Sequence, residues 1–149
     1  MILIREAHKR DVKWVYSLNK KLFQEDVWSR ESYEYALTSR HYLFLIAEEE
    51  KKLCGFVVGR MVGIEGEVLK LGIAPEFQRR GIGGMLLKRL LEKFEDSGVK
   101  EVFLEVRLSN IPAIKLYQKL GFEEVGIRPF YYGKEDALVM KKGLSVFSQ

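Results

Sequence analysis

Apolar and polar positions along this chain change period several times, and each change predicts an element. Ile2 to Glu6 reads as a first strand, with apolar residues at 2 and 4. From Asp11 the spacing becomes helical, with Val12, Val15, Tyr16, Leu18 and Leu22 on one stripe. Phe23 to Trp28 breaks that period and reads as a loop. Ser29 is then placed to cap a short helix through Glu31, Tyr33 and Leu37. Tyr42 to Ala47 predicts a strand, Leu53 to Val62 its antiparallel neighbour, and Gly63 to Gly66 a turn into a strand from Glu67 to Ala74.

Pro75 ends that strand, and Phe77 to Gly84 reads as a glycine-rich loop. Leu87, Leu90, Leu91 and Phe94 then recur at helical spacing until Gly98 stops them. Val102, Leu104 and Val106 alternate with Phe103, Glu105 and Arg107, the two-residue period of a strand that sets Glu105 opposite its apolar neighbours. Asn110 opens a last helix with Ala113, Leu116, Tyr117 and Leu120 on its stripe and Gly121 at its end. Strands from Phe122 to Ile127 and Ala137 to Met140 flank an aromatic loop, Pro129 to Tyr132. The order βααβββαβαββ describes an α/β (α+β) chain, a mixed sheet of about seven strands with about four helices on its faces.

Composition narrows the function. With 47% hydrophobic and 12% aromatic residues, 149 positions can bury a core without staples, and residues 1–149 read as a single domain. Cys54 is the only cysteine, which excludes a disulfide framework and a multi-cysteine zinc site. His8 and His41 are the only histidines, which excludes a three-histidine metal centre, so no metal is expected. A balance of 25 Lys+Arg against 21 Asp+Glu gives +4 and a pI near 9.1. The signs are mixed along the whole chain, so neither a nucleic-acid nor a membrane partner is expected. Met1 to Ile4 runs at once into Arg5 and Glu6, too short for a signal core, and the expected location is cytoplasmic.

The candidate chemistry lies between Gln78 and Gly84. Glycines at 81, 83 and 84 leave backbone N–H groups uncovered where a helix begins, and Arg79 and Arg80 add mobile positive charge. Such a helix start is an anion site suited to a pyrophosphate. No Gly-Lys-Ser/Thr follows, and the loop sits after a hairpin series rather than in an early βαβ unit, so neither common nucleotide fingerprint fits.

Ile73 to Gly83 resembles the acetyl-CoA signature of the GNAT family of N-acetyltransferases, Gln/Arg-x-x-Gly-x-Gly/Ala. Leu104 to Asn110, Leu116-Tyr117 and Leu120-Gly121-Phe122 are similar to the ribosomal-protein alanine N-acetyltransferase subgroup, and Arg128 to Tyr132 and Glu135 to Ala137 continue the likeness to Met140. The resemblance is dense from Glu67 onward and sparse before it. It implies a mostly antiparallel GNAT sheet and acetyl-CoA as cosubstrate. The backbone of Leu71, Gly72 and Ile73 would pair with the pantetheine arm, and the amides of Arg79, Arg80, Gly81, Ile82, Gly83 and Gly84 would hold the pyrophosphate. Asn110 matches a coenzyme contact, a role compatible with the helix cap that its context also supports.

By the same resemblance Tyr117 matches the general acid that protonates the departing thiolate, although its stripe position also suits a core tyrosine. Three glutamates compete for the base. Glu105 ranks first, with pairing to Arg107 as its plain alternative, followed by Glu67 and Glu25, and a water relay stays open. Phe23, Tyr131 and Tyr132, with Glu25, match loops that shape the acceptor entrance. The segment from Phe23 to Ser29 is longer than in the ribosomal subgroup, and Lys70 and Leu71 replace different residues there. Cys54 reads as a buried thiol, since direct transfer needs no acyl-enzyme.

The expected reaction is acetyl transfer to a primary amine, foremost the N-terminal α-amine of a protein. The alternatives are a small amine (a polyamine or an amino-acid-like metabolite) and a non-catalytic acyl-CoA-binding domain. Oligomeric state is not legible.

Overall fold

The computed structural model describes residues 1–23, 26–132 and 135–144, with backbone alone for residues 130–132. Among the described residues, seven strands form one sheet: β1 (Ile2–Glu6), β2 (Tyr42–Glu49), β3 (Lys52–Val62), β4 (Glu65–Ile73), β5 (Glu101–Arg107), β6 (Glu123–Tyr132) and β7 (Glu135–Gly143). Their spatial order is β1-β2-β3-β4-β5-β7-β6, antiparallel throughout except between β4 and β5. The helices are α1 (Val12–Leu22), α2 (Arg30–Thr38), α3 (Ile82–Asp96) and α4 (Ile111–Lys119). The mixed, mostly antiparallel sheet with flanking helices is the predicted architecture.

Local chemistry sets the helix ends. Ser29 Oγ accepts from the Ser32 N–H at 3.1 Å, and Asn110 Oδ1 accepts from the Ala113 N–H at 3.3 Å, capping α2 and α4. Before α1, the Asp11 carboxylate takes the His8 N–H at 2.7 Å and two Arg5 donors at 2.8 and 3.0 Å. Arg5 also donates to Glu48 at 2.6 Å, so one guanidinium ties β1, β2 and the start of α1 together. Helix α3 begins at Ile82 and takes Gly83 and Gly84 into its first turn, earlier than the glycine run suggested. Of glycines 81, 83 and 84, Gly81 alone, at φ +78, has the left-handed conformation that favours glycine.

Three features of the sheet shape the site. First, β4 carries a bulge: Gly59 of β3 pairs with Val68 while Val58 pairs with Lys70, leaving Leu69 extra. Gly59 lies against Leu90 and Phe94 of α3, so Val68 shares that face. Val58 and Lys70, one step on, take the opposite face, towards α1. Second, β4 and β5 pair over four positions only, from Glu65↔Glu101 to Val68↔Leu104. Beyond them the two strands part, leaving the β5-side edge of β4 unladdered from Leu69 to Ile73. Third, α1 packs closely on this stretch: a Cβ at Gly72 would lie 2.8 Å from Phe56 and 3.1 Å from Leu22.

The predicted aromatic loop is a correction. The backbone from Pro129 to Tyr132 continues β6, with a register shift between Arg128 and Tyr132, and Tyr132 pairs with Glu135. Strand β6 is the sheet edge, where a strand tolerates proline. No helix among the described residues is long and apolar enough to cross a membrane.

Candidate active site

The parting of β4 and β5 opens a cavity of about 410 Å³. Its walls bring together Lys70 and Leu71 of β4, Glu105 and Arg107 of β5, Asn110, Tyr117 of α4, and Phe23 and Asp26 from the segment joining α1 to α2. A second cavity, of about 360 Å³, continues it towards the start of β4 and includes Glu65, Glu67 and Arg128. Asp26, Val68, Leu69 and Glu105 belong to both walls and mark the junction.

Tyr117 and Glu105 are brought to one space by different means. Tyr117 is 7% exposed and packs edge-on against Phe122, with ring centroids 5.7 Å apart. Burial pushes its phenol up to about 12. Glu105 alternates with buried Leu104 and Val106, as its strand period predicted, and its carboxylate pairs with Arg128 at 2.7 Å. Arg107, its plain alternative partner, reaches Glu135 at 3.4 Å. Glu67 forms a close ion pair with Arg60, its register partner on β3, and lies only on the second cavity. Glu25 lies outside the described residues, as do the side chains of Tyr131 and Tyr132.

At the far end of β4 the anion site takes shape. Leu71, Gly72 and Ile73 pair with β3 on one side, and a Gln78 amide N–H donates to the Ile73 carbonyl at 3.1 Å. The three-residue 3-10 turn Pro75–Phe77 then leads to α3, whose start has no side-chain cap. The Met85 N–H reaches the Gly81 carbonyl, so the N–H groups of Ile82, Gly83 and Gly84 are the ones without helical partners. The Ile82 side chain itself is core, at 1% exposure. Arg79 takes a left-handed conformation, φ +66, beside this turn. Arg80 is less mobile than expected: it holds Glu49 through two bonds of 3.1 and 2.8 Å and lies over the Phe77 ring. A pyrophosphate fits the helix start, and an extended amide-bearing arm fits the open β4 edge.

Cys54 is buried, and desolvation raises its thiol above the ordinary value. Among the described residues no group of three or more His, Cys, Asp or Glu could hold a metal ion. Sequence reasoning passed over Asp26 and Arg128 and noted Lys70 only as a departure. Lys70 is 4% exposed, with its ammonium on the Asp26 carboxylate at 2.8 Å. Burial lowers its pKa, Asp26 works in the other direction, and Arg107 adds to the lowering.

The acetyltransferase (GNAT) family matches residues 11–122. The [ribosomal protein bS18]-alanine N-acetyltransferase of Salmonella typhimurium is 37% identical over 123 residues, 80% of this chain and 82% of that one. The N-alpha-acetyltransferase RimI of Mycobacterium tuberculosis is 36% identical over 148 residues, 95% of this chain and 92% of that one. The crystal structure of the Escherichia coli ribosomal-protein-S18-alanine N-acetyltransferase superposes with a TM-score of 0.89 at 30% identity, covering 100% of this chain and 97% of the other. On that match and these relatives, the chain belongs to the acetyltransferase (GNAT) family and is an acetyl-CoA-dependent N-acetyltransferase.

Proposed function

We propose that residues 1–149 act as one domain that acetylates the N-terminal α-amine of a protein, by direct attack of that amine on acetyl-CoA. One observation carries the reading: the cavity at the β4–β5 parting gathers Glu105, Tyr117 and Asn110 beside the open strand edge. The relatives support the acceptor class, since the Salmonella enzyme is named for an alanine of ribosomal protein bS18. An acceptor of that kind also supports a cytoplasmic location.

In this reading the N–H groups of Ile82, Gly83 and Gly84 take pyrophosphate oxygens, with Arg79 beside them. Arg80 either keeps Glu49 or shares its guanidinium with a phosphate. The free edge at Leu71 to Ile73 aligns the arm, so that the thioester reaches the cavity.

The acceptor arrives as an ammonium with a pKa of about 8. Glu105, held by Arg128, takes one proton. The neutral amine attacks the carbonyl carbon, and the oxyanion meets a backbone N–H on the β4 edge. As the N–C bond forms the C–S bond breaks, Tyr117 gives its proton to the leaving thiolate, and the nitrogen, left cationic by the attack, loses its second proton to solvent. A phenol at about 12 is a weaker acid than a free thiol in water. The same dry surroundings raise the proton affinity of the thiolate too, which narrows the gap. Solvent then returns a proton to Tyr117 and removes one from Glu105.

The test is an acetyl-CoA assay on peptides with varied first residues, alongside spermidine and free amino acids. Turnover confined to peptide α-amines supports the reading. Turnover on spermidine or a free amino acid alone transfers it to the small-amine class, and coenzyme binding without any turnover overturns catalysis.

A further inference from the structure

Lys70 does a job that the reaction scheme leaves unassigned. Its side chain is 2% exposed, and a buried ammonium is costly unless it is paired and hydrogen-bonded. Among the described residues, the partners of its ammonium belong to the segment between α1 and α2. Its Nζ donates to the Asp26 carboxylate at 2.8 Å and to the Asp26 backbone carbonyl. It also lies 4.4 Å from the centre of the Phe23 ring and 5.9 Å from that of Trp28. The far end of the same segment is held separately. The Asn19 amide donates to the Trp28 carbonyl at 3.0 Å and accepts from the Trp28 N–H at 3.3 Å and from the Tyr33 hydroxyl at 2.8 Å.

Phe23 and Asp26 line the cavity that contains Glu105 and Tyr117. They stand away from the phosphate end, because Asp26 also lines the second cavity, towards the start of β4. The Asp26 side chain is 44% exposed while that of Lys70 is sealed. The lysine charge is therefore used inside the protein, and the carboxylate is what an incoming group meets.

We infer that Lys70 is a positioning residue for the acceptor: its ammonium fixes Phe23 and Asp26 as the acceptor-side wall and aims the Asp26 carboxylate at an incoming ammonium. The β4 bulge makes this possible by turning Lys70 from the α3 face to the α1 face. The acceptor part rests on the proposed function, whereas the wall part stands on geometry alone.

Two readouts separate them. The chain has two tryptophans, so in a Trp14→Phe background Trp28 fluorescence reports the wall directly. Lys70→Met should increase acrylamide quenching of Trp28, and Lys70→Arg should restore most of the protection. In steady-state assays with the preferred peptide, Lys70→Met and Asp26→Asn should each raise the acceptor KM about tenfold, with the acetyl-CoA KM unchanged. The double variant should be no worse than either single one. Asp26→Asn touches a half-exposed residue and so keeps the test open if Lys70→Met fails to fold. Unchanged quenching in Lys70→Met, or an unchanged acceptor KM in Asp26→Asn, overturns the assignment. Altered quenching in a protein that acetylates no peptide overturns the acceptor reading and supports the wall.

Discussion

Glu105 on β5 and Arg128 on β6 meet at 2.7 Å across the intervening strand β7. The carboxylate assigned as base is thus steadied by a cation two strands away. Glu105→Gln should lower kcat by about 100-fold with little change in the acetyl-CoA KM. Arg128→Met removes the orienting partner and keeps the carboxylate, so its loss should be smaller, about tenfold. Full activity in Glu105→Gln would transfer the proton to Glu67 or to a water relay.

Tyr117→Phe keeps the edge contact with Phe122 and removes the proton. We expect kcat to fall about 100-fold at unchanged KM and near-unchanged Tm. Burial raises this phenol from 10.0 to about 12 in the folded protein. The unfolded chain therefore loses its proton first as pH rises, and the contribution of Tyr117 to stability falls between those two values. Alkaline denaturation followed by tyrosinate absorbance should show that fall in wild type and a weaker one in Tyr117→Phe.

Much of this was legible before any coordinates, and the failures share a cause. Ser29, Asn110 and the Leu87 to Phe94 stripe announce themselves locally, because caps and helical faces depend on residues three or four apart. The strand period likewise put Glu105 on the correct face. Its partner Arg128 was not legible, because it arrives only through the order β5-β7-β6. Pro129 looked like a break because nothing in a sequence says which strand will be an edge. Plain alternation puts Lys70 on the face of Val68. Only the bulge at Leu69, a property of pairing, moves it.

The Arg5–Asp11 pair should govern acid stability. Burial alone would raise the Asp11 pKa, but the hydrogen bond from Arg5, and then that from the His8 N–H, hold it below the ordinary range. Its contribution is therefore present above about pH 4 and is lost as pH falls through the lowered folded value. Arg5→Met leaves a buried carboxylate without its cation and should cost about 3 kcal/mol at pH 7. Urea unfolding at pH 7 and pH 3 checks both parts. An equal penalty at the two pH values would show that the loss is packing rather than charge.

Gly84→Asp separates folding from binding. The nearest atom to a Cβ there is Leu116 Cδ1 at 3.6 Å, ordinary contact, and an acidic residue in a first helical turn is favourable to the helix. The same charge repels a pyrophosphate. We expect an unchanged or higher Tm together with an acetyl-CoA KM raised more than about tenfold. A variant that keeps the wild-type KM would place the phosphates elsewhere.

The four-position ladder between β4 and β5 has a consequence for the life of the molecule between turnovers. It is the only parallel seam in the sheet among the described residues, and it joins the block β1–β4 to the block β5-β7-β6. A coenzyme arm lying in that seam would act as mortar as well as reagent, supplying backbone partners that the two blocks do not supply to each other. Each release of CoA would then loosen the joint, and each fresh acetyl-CoA would reset it. Amide exchange along Leu71 to Ile73 would rise and fall with the catalytic cycle.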